Sequence, residues 1–116
     1  MNGQISTFDE FWPFYVSQHL NPTNRVLHAL GTIGALAMGV SAVIGRAPLA
    51  AVAGVVAAYA LAWIGHFVYE KNRPATFTYP LLSLRADFRM LRLIMSGQMD
   101  TEILMLTKKL KVLRGD

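Results

Sequence analysis

The chain has 116 residues, one domain's worth, of which 53% are hydrophobic and 16% charged, against about 25% charged in ordinary soluble domains. That balance excludes a disordered chain, which would be rich in charge and poor in apolar residues. Cysteine is absent, which excludes disulfides, thiolate nucleophiles, cysteine-ligated zinc and iron–sulfur sites. So short a chain has too little amphipathic partner to wrap this much apolar surface, and the composition points to a membrane.

Taken in chain order, Thr7-Phe8-Asp9-Glu10 fits a capping box. It opens a short helix through Phe11, Trp12, Phe14 and Tyr15, with Pro13 either bending that helix or lying near its start. The crowded aromatic residues are expected at the headgroup layer of a bilayer. Two uncharged runs follow, twenty residues from Val26 to Gly45 and twenty-three from Ala47 to Tyr69. A hydrocarbon core of about 30 Å takes roughly 20 helical residues, so spans are expected near Val26–Ile44 and Leu49–Tyr69. The first is not read as a cleavable signal, because Asp9 and Glu10 lie in the stretch before it. Between the spans, Gly45 suits a left-handed cap and Pro48 the first turn of the next helix. So short a connection makes the two helices antiparallel neighbours.

Beyond the second span, Asn72-Arg73-Pro74 breaks the helix and Pro80 begins another, running to about Ser96 with Gly97 as its stop. In it Arg85, Arg89 and Arg92 share one face, and Leu84, Phe88, Leu91 and Met95 another. Asp100 is expected to cap a last helix with Ile103, Leu106, Leu110 and Leu113 apolar and Lys108, Lys109, Lys111 and Arg114 basic. Both read as interfacial helices along the cytoplasmic face. The predicted fold is therefore all-α, an integral membrane helical hairpin of two spans with flanking amphipathic interfacial helices. One membrane domain over residues 1–116 divides into an interfacial helix with a first histidine motif (1–25), span one (26–45), span two (46–69), and a second motif with amphipathic helices (70–116).

Ten of the eleven Lys and Arg residues lie on the side shared by both termini, and Arg46 alone sits in the turn. By the positive-inside rule both termini face the cytoplasm. The net charge of +4 then reads as topology and attraction to anionic lipid, and no nucleic-acid partner is expected.

The chain has three histidines. His28 lies nineteen residues before the middle of the turn, at residue 47, and His66 nineteen after it. In antiparallel helices of equal rise, equal distance from the turn means equal depth. The same arithmetic sets Asn24 level with Glu70, and the break at Asn21-Pro22 allows His19 to fold over this layer. The faces agree: His28, Gly31, Ala35 and Gly39 share one side of the first span, and Gly54, Ala58, Ala62, His66 and Glu70 form one i+4 row on the second. Small residues at that spacing let membrane helices approach closely, and they also offer a route to a homo-oligomer. Ionisable groups within spans point to function. Three imidazoles and the Glu70 carboxylate suit non-haem Fe(II), with open positions for oxygen, and zinc accepts the same ligands. Three histidines are too few for a di-iron hydroxylase of the many-histidine kind, and no Gly-x-Ser-x-Gly elbow is present.

Two longer motifs carry a family resemblance. His19-Leu20-Asn21-Pro22-Thr23-Asn24-Arg25-Val26-Leu27-His28, followed by Gly31-Thr32, pairs with Gly65-His66-Phe67-Val68-Tyr69-Glu70-Lys71-Asn72-Arg73-Pro74-Ala75-Thr76-Phe77. With Tyr79-Pro80, Ser83-Leu84 and Asp87-Phe88-Arg89-Met90, the chain resembles the membrane family of 2-hydroxy fatty acid dioxygenases over roughly Phe11 to Met90. The resemblance implies an Fe(II)-dependent enzyme that shortens 2-hydroxy fatty acids by one carbon in α-oxidation. It implies His19, His28 and His66 as iron ligands, with Glu70 a fourth ligand or a partner orienting a histidine, and Asn24 beside it in the catalytic layer. Arg25, Asn72 and Arg73 would hold the substrate, Arg offering the fork that a carboxylate fits. The partners so implied are the bilayer, a fatty acyl substrate and dioxygen. The rival reading is a non-catalytic membrane protein whose polar layer staples the hairpin or binds a lipid head group.

The charge asymmetry predicts that an Ala47→Cys protein is labelled by an impermeant thiol reagent only from the outer side of the membrane. Labelling only from the cytoplasm would overturn the topology.

Overall fold

The computed structural model describes residues 4–115, and among them five α-helices and no strand: α1 (Phe8–Ser17), α2 (Pro22–Ile44), α3 (Pro48–Ile64), α4 (Pro80–Met95) and α5 (Met99–Arg114). A π-helical turn, Gly65–Glu70, prolongs α3, and a 3-10 turn, Ala75–Phe77, leads toward α4. The stretches Pro22–Ile44 and Pro48–Glu70 are each long and apolar enough to cross a membrane. Their outer sides are apolar and uncovered, with Val43 80% and Leu49 78% exposed.

Local chemistry explains the boundaries. Thr7 and Glu10 form the capping box reciprocally, each side chain accepting the other's backbone N–H. Pro13 lies inside α1 without ending it. The Asn21 side chain caps α2 by accepting the Thr23 N–H, and Pro22 and Pro48 open α2 and α3, where a missing N–H costs nothing. The reversal between the spans falls one residue later than expected. Gly45 keeps φ −89° and Arg46 takes the left-handed conformation at φ 52°, because the Ala47 N–H reaches back to the Ala42 carbonyl and closes the turn around Arg46. Gly97, at φ 74°, ends α4 as expected. Asp100 does not cap α5: the helix starts at Met99, and Asp100 lies in its first turn, facing Arg25 at 3.5 Å.

The small-residue faces pack α2 directly on α3. A Cβ on Gly31 would lie 3.1 Å from Ala58 Cα, and one on Gly54 would lie 2.7 Å from Met38 Cβ and 3.2 Å from Ala35 Cα. At the open end of the hairpin Gly65 rests on Asn24 so closely that any Cβ would overlap its side chain. These contacts set a register in which Asn24 stands opposite Gly65, not Glu70. The turn takes up less axial length than three helical residues would. His28 and His66 still meet, because side chains lean toward the N-terminus of their own helix. In antiparallel helices the two imidazoles therefore lean toward one another.

Most of the aromatic residues of α1 turn into a core instead of outward, Phe14 alone being exposed. Phe8, Phe11, Trp12, Tyr15 and Val16 recur at core-facing helical spacing and are buried against Ala86 and Met90 of α4 and Met99. Their polar tips are partnered: Trp12 Nε1 donates to Glu102 at 2.7 Å, and the Tyr15 hydroxyl to Asp87. Helix α4 thus has three faces where its sequence suggested two. Ser83, Ala86 and Met90 face inward, Leu81, Leu84, Phe88 and Met95 are exposed, and Arg85 and Arg89 cover the rings of Phe8 and Trp12.

The seam makes a prediction. Gly54→Val should destabilise the protein by about 1–3 kcal/mol, the usual cost of overpacking. Gly34→Ala, with nothing within 4 Å of the new methyl, should cost no stability. Thermal unfolding in detergent compares the two.

Candidate metal centre

Three elements each deliver one histidine to the open end of the hairpin. His19 follows α1, and its ring stacks on Tyr15 at 4.0 Å between centroids, continuing the Trp12–Tyr15 stack. His28 comes from the second turn of α2. His66 sits in the π turn, a local widening of the helix that often marks functional positions. The turn ends at Lys71 in the left-handed conformation, with the Asn72 N–H bonded to the His66 carbonyl. All three side chains are buried, at 1%, 7% and 2% exposure.

Their hydrogen bonds assign the tautomers. His19 Nδ1 lies 2.6 Å from the Tyr15 carbonyl, His28 Nδ1 3.0 Å from the Asn24 carbonyl, and His66 Nδ1 2.7 Å from Asn72 Oδ1. Each partner can only accept, since the Asn72 amide nitrogen donates to the Gln18 carbonyl. Every Nδ1 therefore carries the proton, and every Nε2 presents a lone pair. One ligand nitrogen from each ring lies within 4.8 Å of the others, and His19 Nε2 and His28 Nε2 are 3.3 Å apart. Two unprotonated nitrogens at that distance repel unless a cation lies between them. Nitrogens about 2.0–2.1 Å from one ion at a tetrahedral angle stand about 3.3–3.4 Å apart, so the pair fits a shared metal. Burial holds the His19 pKa well below its ordinary value, and His28 and His66 as neighbouring charges push it the same way. The imidazole is thus kept neutral, as a metal ligand must be.

The other residues expected here take different places. Glu70 does not join the three-histidine cluster; its carboxylate accepts the Asn21 N–H and ties the end of the π turn to the start of α2. Asn24 is fully buried with its Oδ1 unpartnered, while its backbone carbonyl holds His28. Asn72 orients His66. Arg25 Nη1 donates to the His19 carbonyl at 2.7 Å, and Arg73 lies exposed with its guanidinium over Phe77. Neither arginine lines the cavity beside the histidines.

That cavity has a volume of about 300 Å³ and runs from His19, His28 and His66 along an apolar wall of Ala35, Leu36, Val55 and Ala58. Tyr15, Ser83 and Asp87 also line it. Burial raises the Asp87 carboxyl to about 6, opposed by its bond from Tyr15. It likewise raises the Tyr15 hydroxyl, helped by the charge of Asp87. The sequence placed Ser83 and Asp87 in the family motifs and Tyr15 among the α1 aromatics, but gave none of the three a place at the site. The available signal was a lone acid on a helix whose other charges are all basic.

Fold and site together define a small helical protein with two span-length apolar helices and an all-histidine centre able to hold a metal beside an apolar cavity. The class narrows to a family: the model described as 2-hydroxy-palmitic acid dioxygenase Mpo1-like matches residues 5–99, and the chain belongs to that family. No curated protein and no solved structure matches it.

An Asn72→Ala protein should bind a divalent metal about 10–100-fold more weakly, the usual cost of losing the partner that orients a ligand histidine. Glu70→Gln, which keeps an acceptor for the Asn21 N–H, should change the affinity less. Chelator competition in detergent measures both.

Proposed function

We propose that the protein is a membrane-bound, Fe(II)-dependent dioxygenase that shortens 2-hydroxy fatty acids by one carbon. The observation that carries this reading is the meeting of three buried imidazoles, each with a ligand nitrogen near the others, at the polar end of an apolar cavity, in a chain of a family named for such an activity. Iron held by His19, His28 and His66 would supply the activation of dioxygen, a role suited to imidazole ligands that leave positions open. The three neutral imidazoles leave the charge of a divalent ion uncompensated, so the site favours an anionic ligand such as the substrate carboxylate. The apolar wall then takes the acyl chain.

The remaining residues act through the histidines. Asn72, Asn24 and Arg25 fix the rings or backbones of His66, His28 and His19 in turn, and Glu70 locks the two ends of the hairpin together. Arg73, exposed near the cavity's family motif, is proposed to meet the substrate carboxylate as it arrives or to anchor on lipid phosphate. The hairpin crosses the cytoplasmic membrane with both termini inside, so the histidine layer lies at the cytoplasmic interface. There a fatty acid presents its head group while its chain stays in lipid, and the bilayer supplies apolar dioxygen. Nucleic acid is not a proposed partner.

Detergent-purified protein should carry one iron per chain and shorten 2-hydroxypalmitate in an oxygen-dependent reaction. Replacing any one of His19, His28 or His66 by Ala should abolish iron and turnover together. Full iron and turnover in the His28→Ala and His66→Ala proteins would leave the rival reading, a structural polar staple, in its place.

A further inference from the structure

We propose that Ser83 and Asp87, one turn apart on α4, form the polar subsite that reads the 2-hydroxyl of the substrate and so select 2-hydroxy acids over unsubstituted fatty acids. The assignment rests on the function proposed above and adds to it the residues that discriminate. Both side chains line the cavity that reaches the histidines. Ser83 is 2% exposed, and its hydroxyl makes no hydrogen bond among the described residues. A buried hydroxyl without a partner is costly, and alanine would pack there without that cost. Asp87 Oδ1 accepts from Tyr15, while its second oxygen has no protein donor among the described residues. Tyr15 in turn stacks on His19, so the carboxyl is held one tyrosine away from the cluster. An ionised carboxylate can only accept, and a serine hydroxyl can donate as well as accept. Together they match a group that is itself donor and acceptor, which describes a hydroxyl. Beyond them the wall is apolar, and an unsubstituted acid leaves both polar groups unpaired. Sites built to bond a hydroxyl reject the analogue that lacks it for that reason.

The test compares binding of 2-hydroxypalmitate and palmitate to metal-loaded protein in detergent, by displacement of a fluorescent fatty acid. Wild-type protein should prefer the 2-hydroxy acid. Ser83→Ala removes only the unpartnered hydroxyl, and Asp87→Asn keeps an acceptor for Tyr15 while offering an amide donor in place of the second oxygen. Each should weaken 2-hydroxypalmitate by about 10–100-fold, leave palmitate within about twofold, and leave metal content unchanged. An equal loss for both acids would show a packing role and overturn the assignment. A wild-type preference that survives intact in both variants would overturn it while leaving the proposed activity standing. Wild-type protein with no preference would overturn both.

Discussion

An imidazole whose Nδ1 proton is held by an acceptor has only a lone pair to offer at Nε2, and here three such lone pairs meet in one buried space. The three acceptors come from different parts of the chain: the Tyr15 carbonyl from α1, the Asn24 carbonyl from α2, and the Asn72 side chain from beyond the π turn. The cluster exists only when all three elements are in place. Without a cation the arrangement is electrostatically unfavourable. A bound ion would therefore contribute to folding as well as chemistry, since a site assembled this way has no counterpart in the unfolded chain.

Close helix packing makes the meeting possible. Backbone comes close to backbone at Gly31–Ala58 and Gly54–Ala35, and to side chain at Gly54–Met38 and Gly65–Asn24, which brings α2 and α3 near enough for one ring from each to face the other. Were the two helices in lipid, no hydrophobic force would press them together, and contact of this kind with polar bonds across the seam would have to hold them. Glu70 and the Asn21 side chain supply such bonds at the open end, the latter donating to the Tyr69 carbonyl. Of those faces Gly31, Ala35 and Gly54 are thereby occupied within one chain, while Gly39 stays open.

Over the open end, α1 and α4 form a lid with its own aromatic core. It delivers His19 from one side and Ser83 and Asp87 from the other, so the cavity has its polar groups at one end and an apolar wall at the other. Leu84 and Phe88, both exposed, line the cavity as well.

Much of this was legible in the sequence, and the reasons are local. Charge-free runs of span length, proline at two helix starts, the capping box at Thr7 and Glu10, and the i+4 rows of small residues each report on chemistry within a turn or two of helix. Equal distance from the turn pointed to a meeting of His28 and His66, but the actual register pairs Asn24 with Gly65 and the two rings meet because their side chains lean toward one another. The inward burial of the α1 aromatic residues, the third face of α4, the commitment of Arg25 to a carbonyl and of Glu70 to an N–H, and the place of Asp87 in the cavity were not legible. Each depends on what stands opposite, and in a helix several faces of similar polarity compete for that position. The sequence by itself therefore determined the helices, the hairpin and the three histidines as a set. Only the tertiary structure decided which nitrogen each histidine offers and which polar groups share its cavity, because hydrogen-bond partners far apart in the chain are chosen by packing and not by local propensity.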